Sequence, residues 1–324
     1  MSSPQHHSLA PQLALITVTA VWGSTFFLIK DLLDSVSPLD FLGVRFTIAA
    51  LFMAAVFARR LRSASREVWK HGLLLGCVYA SAQVAQTWGL AFTDASVSGF
   101  ITGMYVVLTP LVLWMLFRTR ILQTTWIAVF LATVGLAILS LRGVALGLGE
   151  TITFLGAALY ALHIVLLGRW SSGTDAVTLT SIQMISIAGI SLAGALPGGI
   201  TLPQTTGAWL STLYMVFAAG ILALLLQTWA QARMGATRAA IIMTTEPVFA
   251  AGFAVAFGGE ALTWRLLLGG ALILAAMQLA ELAPRRKPPR IHGGRPATPH
   301  GATPTGALTS QSTIQPSELH SQLD

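Results

Sequence analysis

Long apolar runs alternate with very short polar connections along this chain. Runs of about 18 to 22 residues recur at roughly 11–29, 39–58, 72–92, 97–117, 124–141, 150–167, 178–197, 209–230, 239–257 and 266–283. A hydrocarbon core about 30 Å thick is crossed by a helix of about 20 apolar residues. Lipid offers no partner to an open backbone, so spanning segments are helices or closed barrels. The pattern predicts an all-α polytopic membrane protein with ten transmembrane helices.

Polar residues inside the runs fall on faces. Span 3 puts Tyr79, Gln83 and Gln86 on one side, span 4 aligns Ser98, Thr102, Tyr105 and Thr109, span 6 aligns Gly156, Tyr160 and His163, and span 8 carries Gln227. Polar groups facing lipid are costly, so these stripes are expected to face the bundle interior. Span 1 ends in Trp22-Gly23-Ser24-Thr25 and, further on, Lys30, where glycine and hydroxyls permit close helix approach or line a cavity. Span 2 contains Arg45, a candidate for a substrate carboxylate or for a partner inside the bundle.

The ninth run carries an acid beside a proline, Glu246-Pro247. Read as a helix interior, Pro247 leaves the carbonyl of Met243 without its donor and bends the helix. Thr109-Pro110 repeats the device in span 4, freeing the carbonyl of Val106. A charge of this kind at mid-membrane costs about 2.5 to 3.5 kcal/mol on insertion scales, so Glu246 is either a titrating or ligating group or a neutral carboxyl that fixes the kink. A second echo links the halves: Gln86-Thr87-Trp88 recurs as Gln227-Thr228-Trp229, 141 residues later, and Pro110 and Pro247 are 137 apart. Five spans per half is an odd number, so the second copy enters from the opposite side and the two five-helix repeats are inverted. The expected divisions are an N-terminal segment 1–10, a first repeat 11–141, a second repeat 150–283 and a tail 284–324.

Composition changes the picture in one respect. Only 10% of the 324 residues are charged while 54% are hydrophobic, against about 25% charged in a soluble domain, so no soluble surface can be built. The net charge of +7 is explained by location. Fifteen of the 19 basic residues lie in the loops after spans 2, 4, 6 and 8 or in the tail, while the alternate loops hold only Lys30, Arg142 and Arg265. This is the positive-inside asymmetry, with both termini cytoplasmic, and the partner it indicates is the lipid bilayer rather than a nucleic acid. The first ten residues lack the flank and cleavage site of a removable signal. The tail, rich in Pro, Ser, Thr and Gly, reads as disordered.

Cys77 is the single cysteine, so no disulfide framework or cysteine-based zinc site is available. No His-x-x-x-His or His-Glu-x-x-His pair, phosphate-binding Gly-Lys-Ser/Thr loop or Gly-x-Ser-x-Gly elbow is present. No metal, cofactor or ATP hydrolysis is expected. Trp22, Trp88, Tyr105 and Trp229 are candidates for an aromatic lining.

Several short stretches resemble one family. Trp22-Gly-Ser-Thr-Phe followed by Lys30, Ser98-Gly-Phe leading into Tyr105-Val-Val-Leu-Thr-Pro110, Gln227-Thr-Trp-Ala-Gln231 followed by Thr237-Arg-Ala-Ala240, and Glu246-Pro-Val-Phe leading to Gly259-Glu260-Ala-Leu-Thr263 are similar to the EamA family of the drug/metabolite transporter superfamily. The resemblance implies ten helices in two inverted repeats that move small metabolites, often by export, through a central cavity. One departure is visible, since the turn of the first half matching Gly259-Glu260 is Thr119-Arg120 and lacks the acid. The expected function is a secondary transporter in a bacterial inner membrane, not an enzyme, carrying an amino acid, a related organic solute or a drug by alternating access. A non-transporting assembly or receptor protein and a lipid-modifying membrane enzyme are the alternatives, and a homodimer stays open. Expected cavity residues are Trp22, Thr25, Gln83, Gln86, Tyr105, Thr109, His163 and Gln227. Glu246, Arg45 and Lys30 are the expected charge or coupling groups, and Pro110 and Pro247 the expected bends.

Overall fold

A computed structural model describes residues 9–118, 122–142, 145–234, 239 and 242–282. The N-terminal end and the tail of the expected divisions lie outside the described residues. The helices are α1 (Ala10–Leu32), α2 (Pro38–Val56), a short α3 (Ala58–Ser63), α4 (Arg66–Leu90), α5 (Ala95–Gly103), α6 (Tyr105–Phe117) and α7 (Gln123–Ser140) in the first half. The second half supplies α8 (Leu148–Trp170), α9 (Ala176–Ala195), α10 (Thr206–Tyr214), α11 (Ala223–Gln231), α12 (Glu246–Ala256) and α13 (Trp264–Leu282). Between the halves, Leu141–Arg142 pairs with Ala145–Leu146 as a two-residue antiparallel ladder, which the apolar pattern did not anticipate.

Local chemistry explains where several helices begin. Ser37, Ser65, Asp175 and Thr205 each stand just before a helix in extended backbone, and their side-chain oxygens accept the amides of Asp40, Val68, Thr178 and Ala208. Such caps satisfy donors that the first turn leaves orphaned. Among the described residues, a helix or a broken helix falls within each of the ten expected runs. Six stretches among the described residues, Ala10–Leu32, Pro38–Val56, Ala95–Phe117, Leu148–Trp170, Ala176–Gly198 and Thr206–Gln231, are long and apolar enough to cross a membrane, and three shorter apolar helices accompany them. The polytopic all-α fold is thus present.

Two spans are broken in ways that matter for the site. Span 4 divides into α5 and α6 at Met104, six residues before Pro110, which lies inside α6. Span 8 contains a wide-turned π segment, Met215–Leu222, between α10 and α11. Span 9 departs from the expected interior bend. The described residues turn at Thr244 and Thr245, and Pro247 falls in the first turn of α12, where a missing N–H costs nothing.

The extensive helix pairs join the two halves: α1 with α12, α2 with α9, α4 with α8 and α9, α5 with α12, α6 with α8, and α7 with α13. Exchanging each span for its counterpart in the other half carries five of these seven pairings into one another, and the 3–6 and 3–7 pairs answer to less extensive contacts of span 8 with spans 1 and 2. The pairing of span 1 with span 9 answers that of span 6 with span 4, while the 2–7, 4–9 and 5–10 pairs map onto themselves. This is the pattern two interlocked repeats require. Close approach is set by glycines at the crossings: a Cβ on Gly89 of α4 would lie 2.7 Å from the carbonyl of Gly149 in α8, and one on Gly99 of α5 would lie 2.5 Å from Cβ of Ala250 in α12. The main apolar core is shared by both halves, with Phe41, Leu42, Phe46, Ile101, Val106, Met184, Val216, Ala254 and Met277 all buried.

Candidate functional site

At the centre of the bundle both halves contribute to one cavity. The space free of protein atoms, its open mouth included, is about 500 Å³. α1 supplies Trp22, Thr25, Phe26 and Ile29, α2 supplies Arg45, and α4 supplies Tyr79, Gln83 and Gln86. Thr102 and Tyr105 stand on either side of the break in span 4. The second half adds Tyr160, His163 and Ile164 from α8, Gln227 from α11, then Met243 and Glu246. Spans 1, 3, 4, 6, 8 and 9 therefore all reach the cavity, together with Arg45 of span 2.

A hydrogen-bond network crosses from one half to the other. The Tyr160 hydroxyl donates to Oε1 of Gln86 at 2.9 Å, and Nε2 of Gln86 donates to Oγ1 of Thr102 at 3.1 Å. Tyr105 donates to Oε2 of Glu246 at 2.9 Å and lies 3.3 Å from the Met243 carbonyl. The turn in span 9 thus lies against a tyrosine from span 4. Nε2 of Gln83 donates to the Tyr79 hydroxyl at 3.2 Å, and the ring of His163 pairs with Oε1 of Gln183 at 2.9 Å.

The wide-turned segment of span 8 anchors two further lining residues. Its Met215 carbonyl accepts from Nε of Arg45 at 3.1 Å, and its Ala219 carbonyl accepts from Nε1 of Trp22 at 2.9 Å. Wide turns of this kind shift the hydrogen-bond register and are frequent at functional sites. Arg45 is 2% exposed, its guanidinium 4.8 Å from the centre of the Phe46 ring. An ion pair lies elsewhere, between Arg60 and Asp175. Arg45 and the Glu246 carboxyl thus share one cavity without forming a salt bridge to each other.

Of the expected cavity residues, Trp22, Thr25, Gln83, Gln86, Tyr105, His163 and Gln227 line it, as do Glu246 and Arg45. Thr109 does not; its hydroxyl returns to the Tyr105 carbonyl at 2.7 Å, one turn back. Pro110 and Pro247 stand behind the lining. Lys30 caps α4 instead, its Nζ 3.0 Å from the Leu90 carbonyl and 2.8 Å from that of Thr93, a placement that suits a cation at a helix C-terminus. Trp88 is 40% exposed on the outside of the bundle, and Trp229 packs beside Leu15, Ala230 and Ala239, so neither joins an aromatic lining. Tyr79, Thr102 and Tyr160 lie on the polar faces read from the sequence and belong to the cavity without having been singled out.

A second polar concavity is lined by Asp94, Ser96, Glu150, Glu260 and Arg265. Gly259, at φ 69°, turns the chain there. Glu260 receives the amide of Ala95 at 2.6 Å and of Ser96 at 3.2 Å, capping α5 from the other half. Asp94, the residue positioned to cap that helix itself, makes no such bond. Glu150 accepts from Thr93 at 3.0 Å.

The comparison with known families decides the assignment. The model of the EamA-like transporter family matches twice, over residues 10–141 and 147–280. The chain belongs to the EamA-like transporter family. It is therefore a member of the drug/metabolite transporter superfamily and a multi-pass membrane transporter. A relative described as an uncharacterized transporter, from Archaeoglobus fulgidus, is 32% identical over 274 residues, covering 85% of this chain and 86% of its own. A solved crystal structure shares the fold at a TM-score of 0.61 and 17% identity, over 83% of this chain and 96% of that one.

Proposed function

We propose that this EamA member is a secondary transporter that exports a small metabolite, an amino acid or related organic solute, or a drug, across the inner membrane of a bacterium. Its two repeats, 11–141 and 150–283, rock about the central cavity in an alternating-access cycle, with both termini on the cytoplasmic side. One observation carries the reading. A cavity built by both halves sets a buried guanidinium and a carboxyl among aromatic rings and amides, which is the chemistry that holds a small polar organic solute. Charges buried in a membrane are retained where a pathway uses them.

The cycle follows from the packing. Because the cavity walls belong to both halves, relative motion of the halves changes which side of the membrane the site faces. The breaks at Met104 and at Thr244–Thr245 interrupt the α-helical hydrogen-bond ladder beside the cavity, where such irregularity is tolerated. The basic loops after spans 2, 4, 6 and 8 support the topology. Transport rather than catalysis is the activity proposed.

The test is solute flux in proteoliposomes, using amino acids, sugars and cationic drugs, each with and without a pH gradient. Saturable flux of one class above protein-free vesicles is expected. Absence of protein-dependent flux across the panel, from folded protein, refutes the proposal.

A further inference from the structure

Among the described residues, ten buried side-chain polar atoms have no hydrogen-bond partner. Two belong to residues that line the cavity, and both are amide oxygens, Oε1 of Gln83 and Oε1 of Gln227. The side chains are 6% and 2% exposed. A buried acceptor left unmet forfeits the hydrogen bond that water gives it in the unfolded chain, so its retention calls for an explanation.

The internal repeat sharpens the contrast. Gln86 and Gln227 hold the same place in the Gln-Thr-Trp echo. Gln86 is tied at both ends of its amide, by Tyr160 and by Thr102. Gln227 keeps its oxygen unmet. Gln83 commits its NH₂ to Tyr79 and likewise holds its oxygen unmet. The two residues that hold these open acceptors come from opposite halves and line one cavity.

An amide oxygen is neutral and carries two lone pairs. It selects for N–H groups rather than for positive charge. The rings of Trp22, Tyr79, Tyr105 and Tyr160 attract any cation, quaternary ammonium included, and the Glu246 carboxyl does not count N–H groups when it acts as a charge. We infer that Gln83 and Gln227 are specificity residues whose Oε1 atoms accept N–H donors from the solute's head group, so that the cavity carries primary ammonium compounds and rejects quaternary ammonium compounds of like shape. This rests on the reading that the central cavity carries the solute. Arg45, which gives only its Nε to Met215 in the bonds described, faces the same cavity and suits an anionic or carbonyl end of that solute.

The experiment compares solutes whose formal charge is constant while the N–H count falls. Full-length protein in proteoliposomes is assayed for counterflow of glycine, its N-methyl and N,N-dimethyl derivatives and glycine betaine, and of L-leucine and its N,N,N-trimethyl form. Each lost N–H···O bond to a charged head group is expected to lower the rate about tenfold, so the trimethyl forms fall about a hundredfold below their parents. Gln83→Met with Gln227→Met, close in shape but without the acceptors, is expected to bring each pair to within about threefold. A steric preference would survive that double substitution, and its survival overturns the inference. Equal rates for parent and trimethyl forms in the native protein overturn it as well, leaving the transport reading intact and needing no variant. Silence of both series in a protein that moves other solutes overturns the inference alone; silence of every solute overturns the transport reading with it.

Discussion

Removing the Glu260 carboxylate is expected to loosen the junction between the two halves at one end of the bundle. Its two oxygens hold the amides of Ala95 and Ser96 at 2.6 and 3.2 Å, and α5 has no cap of its own because Asp94 is turned away and exposed. Hydrogen bonds to a charged group contribute about 1.5–3 kcal/mol each in net terms, but Glu260 is only partly buried and water replaces part of what is lost. About 1.5–2 kcal/mol is a reasonable figure for Glu260→Ala, within the range for loss of a helix cap, and corresponds to a factor of about 10 to 30 in a local opening equilibrium. Hydrogen exchange reads that equilibrium at the amides concerned. In detergent-solubilised protein, exchange at Ala95 and Ser96 should quicken by about that factor in Glu260→Ala, and by less in Glu260→Gln, which retains one acceptor oxygen. Amides in the middle of α4 should be unaffected. Unchanged exchange at 95 and 96 in a folded variant would refute the capping argument.

Three further outcomes are expected. Tyr105→Phe leaves Oε2 of Glu246 without its donor inside the bundle and should cost about 1–3 kcal/mol, whereas Glu246→Gln keeps an acceptor for Tyr105 and should cost less; thermal unfolding in detergent would contradict this if the order were reversed. Burial opposes ionisation of Asp175, but hydrogen bonds from Thr178 and the Arg60 guanidinium more than offset it and hold the pKa below the usual value. The ionised form is therefore the stabilising one, its contribution is present at neutral pH and lost as pH falls through the folded pKa, and because both partners are about half exposed Asp175→Asn should cost under about 1 kcal/mol, a difference that chemical denaturation should no longer detect in acid. Finally, with Cys77 replaced by serine, cysteines placed at Ser63 and Ser35 should respond oppositely to an impermeant thiol reagent added from outside, and equal labelling would contradict the assigned topology.

The sequence announced the helices clearly because lipid imposes a length and a polarity on every spanning element, and those constraints leave long uninterrupted apolar runs. The cavity was legible for the same reason: Gln83, Gln86, Tyr105, His163 and Gln227 stood out as polar residues on helical faces that lipid would penalise. Backbone irregularities were not legible. The wide turn at Met215–Leu222 contains no proline, and its function in anchoring Arg45 and Trp22 depends on tertiary partners. Pro247 was read as an interior bend because the apolar run continues through it, yet the backbone turns two residues earlier and the proline begins a new helix. Trp88 and Trp229 belong to the same repeat as Gln86 and Gln227, but two residues along a helix rotate a side chain by roughly 200°, away from the face that lines the cavity. Lys30 was ambiguous for a different reason, since the carbonyls it caps belong to the C-terminal end of α4 and the residues after it, about 60 residues away in sequence.

The central claim is that solute passes through the cavity shared by the two halves, and filling that cavity tests it most directly. Thr25 lines it from α1 and is 7% exposed, so Thr25→Trp places an indole where the solute would sit. With the best substrate of the proteoliposome panel, the variant should keep expression, monodispersity and helical content while losing at least about nine-tenths of the flux. Full flux through a folded Thr25→Trp protein would contradict the account and move the path away from this cavity.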